Sequence, residues 1–173
     1  MQFYSTNRKT SPVSLREAVV RGLATDRGLF MPEVIRRFPP AFYQNMKEMT
    51  LREISFVVAE AFFGENVEAG KLKEIVDETL NFDIPLVQVA DNRYSLELFH
   101  GPTLAFKDVG GRFMARILAY FNKQEGERQV NVLVATSGDT GSAVANGFLD
   151  VSGVKVFVLY PQGKVSEIQE KQF

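Results

Sequence analysis

The pattern that most constrains the fold is a pair of apolar runs separated by a helical stretch in the second half of the chain. Val130–Ala135 and Val154–Tyr160 are short and rich in β-branched residues, which is typical of buried strands. Thr140–Val151, between them, has the composition of a helix. A strand, a helix and a second strand at this spacing predict a βαβ unit with two parallel strands. The expected fold class is therefore α/β.

The first half of the chain reads differently, as helices joined by loops. Ser14 and Glu17 form one capping-box pattern and Thr50 and Glu53 form another, and each predicts the start of a helix. A further helix is expected over residues 71–80. We therefore predict a mostly helical amino-terminal domain over residues 1–84.

The remaining segments of the second half extend the α/β pattern. Strands are predicted over residues 86–89 and 94–99, around a turn at Asp91 and Asn92. A long helix is predicted over residues 107–122. We expect residues 85–173 to form part of an α/β domain, because two parallel strands alone leave apolar faces that need covering.

Composition excludes several classes of function. Hydrophobic residues make up 45% of the chain and charged residues 24%, which is a globular balance. The net charge of −1 gives no reason to expect a nucleic-acid or membrane partner. The chain has no cysteine and one histidine, so a metal site is not expected. Neither a membrane helix nor a signal-peptide core is evident, so we expect a cytoplasmic protein.

One lysine is placed where reactive chemistry would be possible. Lys107 follows the apolar residues Leu104–Phe106 and opens the predicted long helix. A lysine that forms a Schiff base must act as a neutral amine, and both burial and a helix N-terminus disfavour the ammonium form. The alternative from the residues alone is a solvated lysine, or one that neutralises Asp108.

The turn after the strand at residues 130–135 is the second candidate. Residues 136–142, Thr-Ser-Gly-Asp-Thr-Gly-Ser, combine hydroxyls with backbone amides at a predicted helix N-terminus, which suits a carboxylate or phosphate. The spacing matches neither the Walker loop nor the dinucleotide fingerprint. The alternative is an ordinary turn with a good helix cap. Asp139 would repel an anion, which favours a second role for its carboxylate, such as contacting a hydroxyl or a ring substituent.

His100 is the only histidine and lies between Phe99 and Gly101. A histidine could act as a general base near neutral pH. No partner for it is evident in the sequence, so a hydrogen-bonded structural role is the favoured interpretation.

These motifs resemble those of a known family. Phe99–Asp108, Phe-His-Gly-Pro-Thr-Leu-Ala-Phe-Lys-Asp, is similar to the cofactor-lysine motif of the threonine synthase family. Ala135–Ala143, Ala-Thr-Ser-Gly-Asp-Thr-Gly-Ser-Ala, resembles the second motif of that family. The segment Gly28–Glu33 and the residues Tyr4–Asn7 are also similar, so the likeness covers nearly the whole chain in order.

The resemblance implies a fold-type II pyridoxal-phosphate architecture like that of tryptophan synthase β subunits. It implies conversion of O-phospho-L-homoserine and water to L-threonine and phosphate. Lys107 would hold pyridoxal 5′-phosphate covalently and then transfer protons, with Phe106 beside the cofactor ring and Asp139 near its 3′-oxygen. The residues implied for the substrate α-carboxylate are Thr136, Ser137, Gly138, Thr140 and Gly141. A monomer or a homodimer is expected.

One departure from the family pattern affects the expected activity. The family carries a further glycine- and asparagine-rich loop for the cofactor phosphate, and no such loop follows the second motif here. We therefore expect a family member whose 173 residues are inactive on their own. Two alternatives remain, a related pyridoxal-phosphate phospho-lyase that releases a keto acid and a non-catalytic truncated module.

Overall fold

The computed structural model describes residues 1–126 and 128–173. Contacts between residues divide the chain into two compact units, Met1–Glu78 and Thr79–Phe173. The domain boundary expected between residues 84 and 85 stays a prediction. Within the described residues, no helix is long and apolar enough to cross a membrane. The same residues contain no cluster of histidine, aspartate and glutamate side chains that could hold a metal ion.

The first unit contains a small antiparallel sheet that the sequence did not predict. Its strands are β1 (Gln2–Ser5), β2 (Val13–Ser14) and β3 (Phe30–Pro32), and β1 lies between the other two. With four, two and three residues, these strands are too short to show an alternating pattern. Phe3 pairs with both Val13 and Pro32, and its side chain is buried.

The first unit contains four α-helices, and two of them begin where capping side chains predicted a helix start. They are α1 (Leu15–Arg21), α2 (Pro40–Asn45), α3 (Leu51–Phe63) and α4 (Ala69–Thr79). Thr50 forms the complete capping box, because its hydroxyl accepts from Glu53 N while its own amide donates to the Glu53 carboxylate. Ser14 caps α1 by accepting from Glu17 N at 3.2 Å. Both predicted helix starts are confirmed.

The second unit carries the parallel pair that the sequence predicted. Its elements are β4 (Leu86–Ala90), β5 (Arg93–Leu96), α5 (Lys107–Gln124), β6 (Val130–Ala135), α6 (Asp139–Gly147), β7 (Val154–Leu159) and the short α7 (Glu167–Glu170). Strands β6 and β7 are parallel, in register from the Val130–Val154 pair onward. Strands β4 and β5 form an antiparallel hairpin, in which Asn92 has a φ of 56°. The α/β class is confirmed.

Helices α5 and α6 approach each other through their backbones. A Cβ atom added to Gly147 would lie 3.0 Å from the Gly111 carbonyl oxygen, and one added to Gly111 would lie 3.2 Å from the Ala143 carbonyl oxygen. A side chain at either glycine would require the facing backbone to shift by a few tenths of an ångström. Ile117 and Phe121, further along α5, are buried, and their spacing of four residues places them on one face of the helix.

Candidate active site

The first residues of α5 and α6 form an ion pair. Lys107 Nζ donates a hydrogen bond to Asp139 Oδ2 at 2.9 Å. The lysine side chain is 31% exposed and the aspartate side chain 58%, so the pair lies at the surface of the second unit. Two residues that are 32 positions apart in sequence therefore meet at adjacent helix starts. This contact brings together the two motifs that were singled out in the sequence.

The surroundings of the pair explain its electrostatics. The hydrogen bond from Lys107 is the main reason why the pKa of Asp139 lies below its ordinary value of 3.8, while partial desolvation opposes that shift. Lys107 Nζ also lies 4.6 Å from the centroid of the Phe106 ring, a cation–π distance. The exposed Phe106 ring thus gives the amine one apolar neighbour.

A buried carboxylate organises the turn that leads into Lys107. Asp108 is fully buried and accepts two hydrogen bonds from Thr103, one from the amide at 2.9 Å and one from the hydroxyl at 2.5 Å. The alternative that Lys107 neutralises Asp108 is therefore wrong, since each binds a different partner. A Cβ atom on Gly101 would lie 2.5 Å from Asp108 Oδ2, so only glycine fits beside this carboxylate.

The second turn is held by one hydroxyl. Thr136 Oγ1 accepts from Gly138 N and from Gly141 N, both at 3.1 Å, and donates to the Gly138 carbonyl oxygen at 3.0 Å. Thr136 thereby caps α6 from within the turn. Gly141 is buried against it, because a Cβ atom there would lie 2.3 Å from Thr136 Cγ2. The turn thus contains the helix cap that the alternative interpretation of the sequence predicted. Ser137 lies beside this cap and is exposed.

The structure brings all of the predicted site residues to the starts of these two helices. Phe106 and Lys107 lie at the start of α5. The other six lie in the turn before α6 or in its first residues: Thr136, Ser137, Gly138, Asp139, Thr140 and Gly141. His100 has a partner that the sequence did not reveal, since its Nε2 lies 2.7 Å from Glu97 Oε2. This pairing agrees with the hydrogen-bonded structural role.

Sequence reasoning missed two buried charged residues that position α5. One is Asp108; a signal was available, because a threonine five residues before an acidic residue at a helix start can reach its carboxylate. The other is Arg112, which is 8% exposed and donates to the Thr79 carbonyl oxygen at 3.3 Å and to Asn81 Oδ1 at 3.1 Å. These partners are 33 and 31 residues away in sequence, so no local sequence pattern could indicate them.

Residues after β7 lie against the second turn and were also missed. Ser142, which is fully buried, donates to Gln172 Oε1 at 3.3 Å. The Phe173 ring lies 5.1 Å from the Tyr160 ring, and one of its carbons would lie 3.0 Å from a Cβ atom on Gly141. This segment therefore closes one side of the start of α6.

Similarity to solved structures defines the class. The structure of pyridoxal-phosphate-bound threonine synthase from Brucella melitensis matches with a TM-score of 0.93 and 36% identity, over 99% of this chain and 38% of that one. Threonine synthase from Escherichia coli matches with a TM-score of 0.90 and 41% identity, over 100% of this chain and 40% of that one. The fold is therefore part of the fold-type II architecture of pyridoxal-phosphate enzymes.

Sequence comparisons identify the family within that class. Residues 2–80 match the family model for the threonine synthase N terminus. A threonine synthase from Serratia marcescens is 43% identical over 173 residues, which is all of this chain and 40% of that protein. The chain belongs to the threonine synthase family and corresponds to the amino-terminal portion of its members. It spans about 40% of the length of the curated threonine synthases from Serratia marcescens, Haemophilus influenzae and Escherichia coli.

Proposed function

We propose that this chain provides the cofactor lysine and the substrate-carboxylate turn of a pyridoxal-phosphate-dependent threonine synthase. The whole enzyme would convert O-phospho-L-homoserine and water to L-threonine and phosphate. The observation that carries the proposal is the 2.9 Å contact between Lys107 and Asp139, which joins the two family motifs at one point. We further propose that the protein is cytoplasmic and acts as a monomer or a homodimer.

The side chains around Lys107 fit pyridoxal phosphate. The cofactor needs a primary amine for its aldehyde and an apolar neighbour for its ring, and Lys107 and Phe106 offer these at the same helix start. Asp139, whose carboxylate binds the Lys107 amine, would contact the 3′-oxygen of the cofactor ring. When bound, the cofactor supplies the electron sink that stabilises negative charge on substrate carbon.

The chain's own residues would bind, orient and protonate the substrate. Lys107 Nζ would carry protons to and from substrate carbon. Asp139 would hold the amine in place, because the two groups already share a hydrogen bond. Thr140 and Gly138 lie where the amides at the start of α6 favour an anion, so the substrate carboxylate is assigned to this turn together with Ser137.

The capping role of Thr136 refines this assignment. Its hydroxyl already makes three hydrogen bonds within the turn, and Gly141 N is one of its donors. We therefore propose that Thr136 and Gly141 shape the carboxylate site, while Ser137 and Thr140 offer their hydroxyls to the ligand. The isolated chain is proposed to lack threonine-forming turnover, since it spans about 40% of its relatives.

Covalent trapping tests the cofactor assignment directly. The chain is mixed with pyridoxal phosphate, reduced with borohydride, digested, and the modified peptide is located by mass. We expect selective modification of Lys107, with Lys123 at the exposed end of the same helix as the internal control. Lys107→Arg removes the reactive amine and keeps a positive charge, so it should abolish the selective signal. Equal modification of Lys107 and Lys123 would contradict the assignment for this chain.

A further inference from the structure

We propose that Asp108 is a positioning residue for Lys107, an inference that rests on the proposed function of that lysine. Asp108 does not touch Lys107 Nζ, which binds Asp139. It acts instead on the backbone that carries the lysine. The contacts that support this role lie between Asp108 and the turn at residues 101–104.

Asp108 directly follows Lys107, and its side chain binds Thr103, which lies four residues before Lys107. Both of its carboxylate oxygens are used, Oδ2 by the Thr103 amide at 2.9 Å and Oδ1 by the Thr103 hydroxyl at 2.5 Å. The side chain is completely inaccessible to solvent. A buried carboxylate must be satisfied by donors, and here one residue provides both. The turn and the first residues of α5 are therefore one closed structure.

The turn that Asp108 closes has a conformation that would not persist by itself. Leu104 has a φ of 58°, in the left-handed region that a branched side chain rarely adopts. Gly101 packs so closely on Asp108 that no Cβ atom fits between them. Such geometry persists only where surrounding contacts fix it. Asp108 is the buried group that makes those contacts.

The two hydrogen bonds between Asp108 and Thr103 form a clamp, and the position of Lys107 follows from it. Lys107 is the first residue of α5, where a helix ordinarily frays because its amides lack intrahelical partners. Phe106, the residue before it, gives no side-chain cap. The Asp108–Thr103 hydrogen bonds instead tie the first turn of α5 to the preceding turn, so they fix the direction in which Lys107 leaves the helix. A fixed direction is what a lysine needs to meet both Asp139 and a cofactor aldehyde.

The test compares variants of the clamp in the full 173-residue chain. Asp108→Asn keeps the shape and removes the charge, while Thr103→Val keeps the shape and removes the hydroxyl. Thr103→Ser keeps both donors and should behave like the parent chain. Asp150→Asn is the matched charge control, because Asp150 is exposed.

Four measurements are made on each variant. Borohydride trapping with pyridoxal phosphate gives the ratio of label on Lys107 to label on Lys123. Acylation with a neutral reagent, without cofactor, gives the relative reactivity of the same two amines. Hydrogen exchange reports the protection of the Thr103 amide. Thermal unfolding identifies any variant that has lost its fold.

We expect Asp108→Asn to lower the ratio of label on Lys107 to label on Lys123 by about tenfold. A change of this size corresponds to the free energy of one lost hydrogen bond to a charged group. Thr103→Val should lower the ratio less, and Thr103→Ser and Asp150→Asn should leave it unchanged. Protection of the Thr103 amide should fall in Asp108→Asn. A parent-like trapping ratio in Thr103→Ser, which keeps both donors, separates a positioning role from a general loss of stability.

The outcomes also separate this inference from the proposed function. If the parent chain traps cofactor at Lys107 and folded Asp108→Asn does so equally well, the positioning role is wrong. If the parent chain shows no selective trapping, the cofactor assignment fails for this chain, and acylation and exchange still decide the clamp. A Lys107 acylation rate and a Thr103 protection that are unchanged in folded Asp108→Asn and Thr103→Val would overturn the inference.

Discussion

The crossing of α5 and α6 gives a quantitative test of the fold through two glycines. Gly147→Ala would place a Cβ atom 3.0 Å from the carbonyl carbon and oxygen of Gly111 and 3.2 Å from Arg112 N. All three are backbone atoms, so no side chain can swing away and the helices themselves must separate. Overpacking of this kind destabilises a fold by about 1–3 kcal/mol.

Gly110→Ala is the matched control. Gly110 lies within α5, is exposed, and would have no atom within 4 Å of an added Cβ. Alanine there gains helix propensity, so the free energy of unfolding should rise by about 0.5–1 kcal/mol. The two alanine variants should therefore differ by roughly 1.5–4 kcal/mol in opposite directions from the parent chain.

Thermal unfolding followed by circular dichroism measures the difference. For a chain of this length, 1 kcal/mol moves the unfolding midpoint by about 2–4 °C, so the two midpoints should differ by roughly 3–16 °C. Borohydride trapping at Lys107 provides a second reading, because separating the helices also moves the start of α5 from the start of α6. A Gly147→Ala chain at least as stable as Gly110→Ala would refute the claim that backbone contact sets this crossing.

Two further predictions concern the second turn. Gly141→Ala should destabilise the chain and reduce selective trapping at Lys107, because its Cβ atom would lie 2.3 Å from Thr136 Cγ2 and would displace the Thr136 cap; trapping and unfolding midpoints that match the parent chain would contradict this. The Lys107–Asp139 pair should add stability that depends on pH. The pKa of Asp139 is lowered in the folded chain, so that stability is present above the ordinary value of 3.8 and is lost as pH falls through the folded value. The difference in unfolding midpoint between the parent chain and Asp139→Asn should therefore be constant near neutrality and shrink in acid; the effect is small because the pair is partly exposed, and a difference that grows in acid would have the wrong sign.

Local signals were sufficient for most of the second unit. Strand β6 has the bounds that its β-branched run predicted, and the turn at Asp91 and Asn92 lies between β4 and β5 as expected. These features are local, since they depend on side-chain shape and on residues that tolerate tight turns. The capping boxes of the first unit were found for the same reason.

Features that depend on distant contacts were not found. Strand β2 has two residues and exists because Phe3 pairs with Val13 across a loop. The partners of Arg112 are more than thirty residues away, and the Lys107–Asp139 contact needed the packing of two helices. The resemblance named the residues of the site, but the structure alone showed that Thr136 caps its own turn.

The site thus consists of two helix starts, and different contacts stabilise each of them. At α6, a hydroxyl from the preceding turn caps the helix and leaves the neighbouring Ser137 exposed for a ligand. At α5, a buried carboxylate from inside the helix reaches back to Thr103 and closes the turn before it. The glycine crossing sets the distance between the two helices, and the turns set the directions of Lys107 and Asp139. The 2.9 Å contact between these side chains therefore depends on the cap of α6, on the Asp108–Thr103 hydrogen bonds and on the glycine crossing. A change in any one of these should alter the reactivity of Lys107.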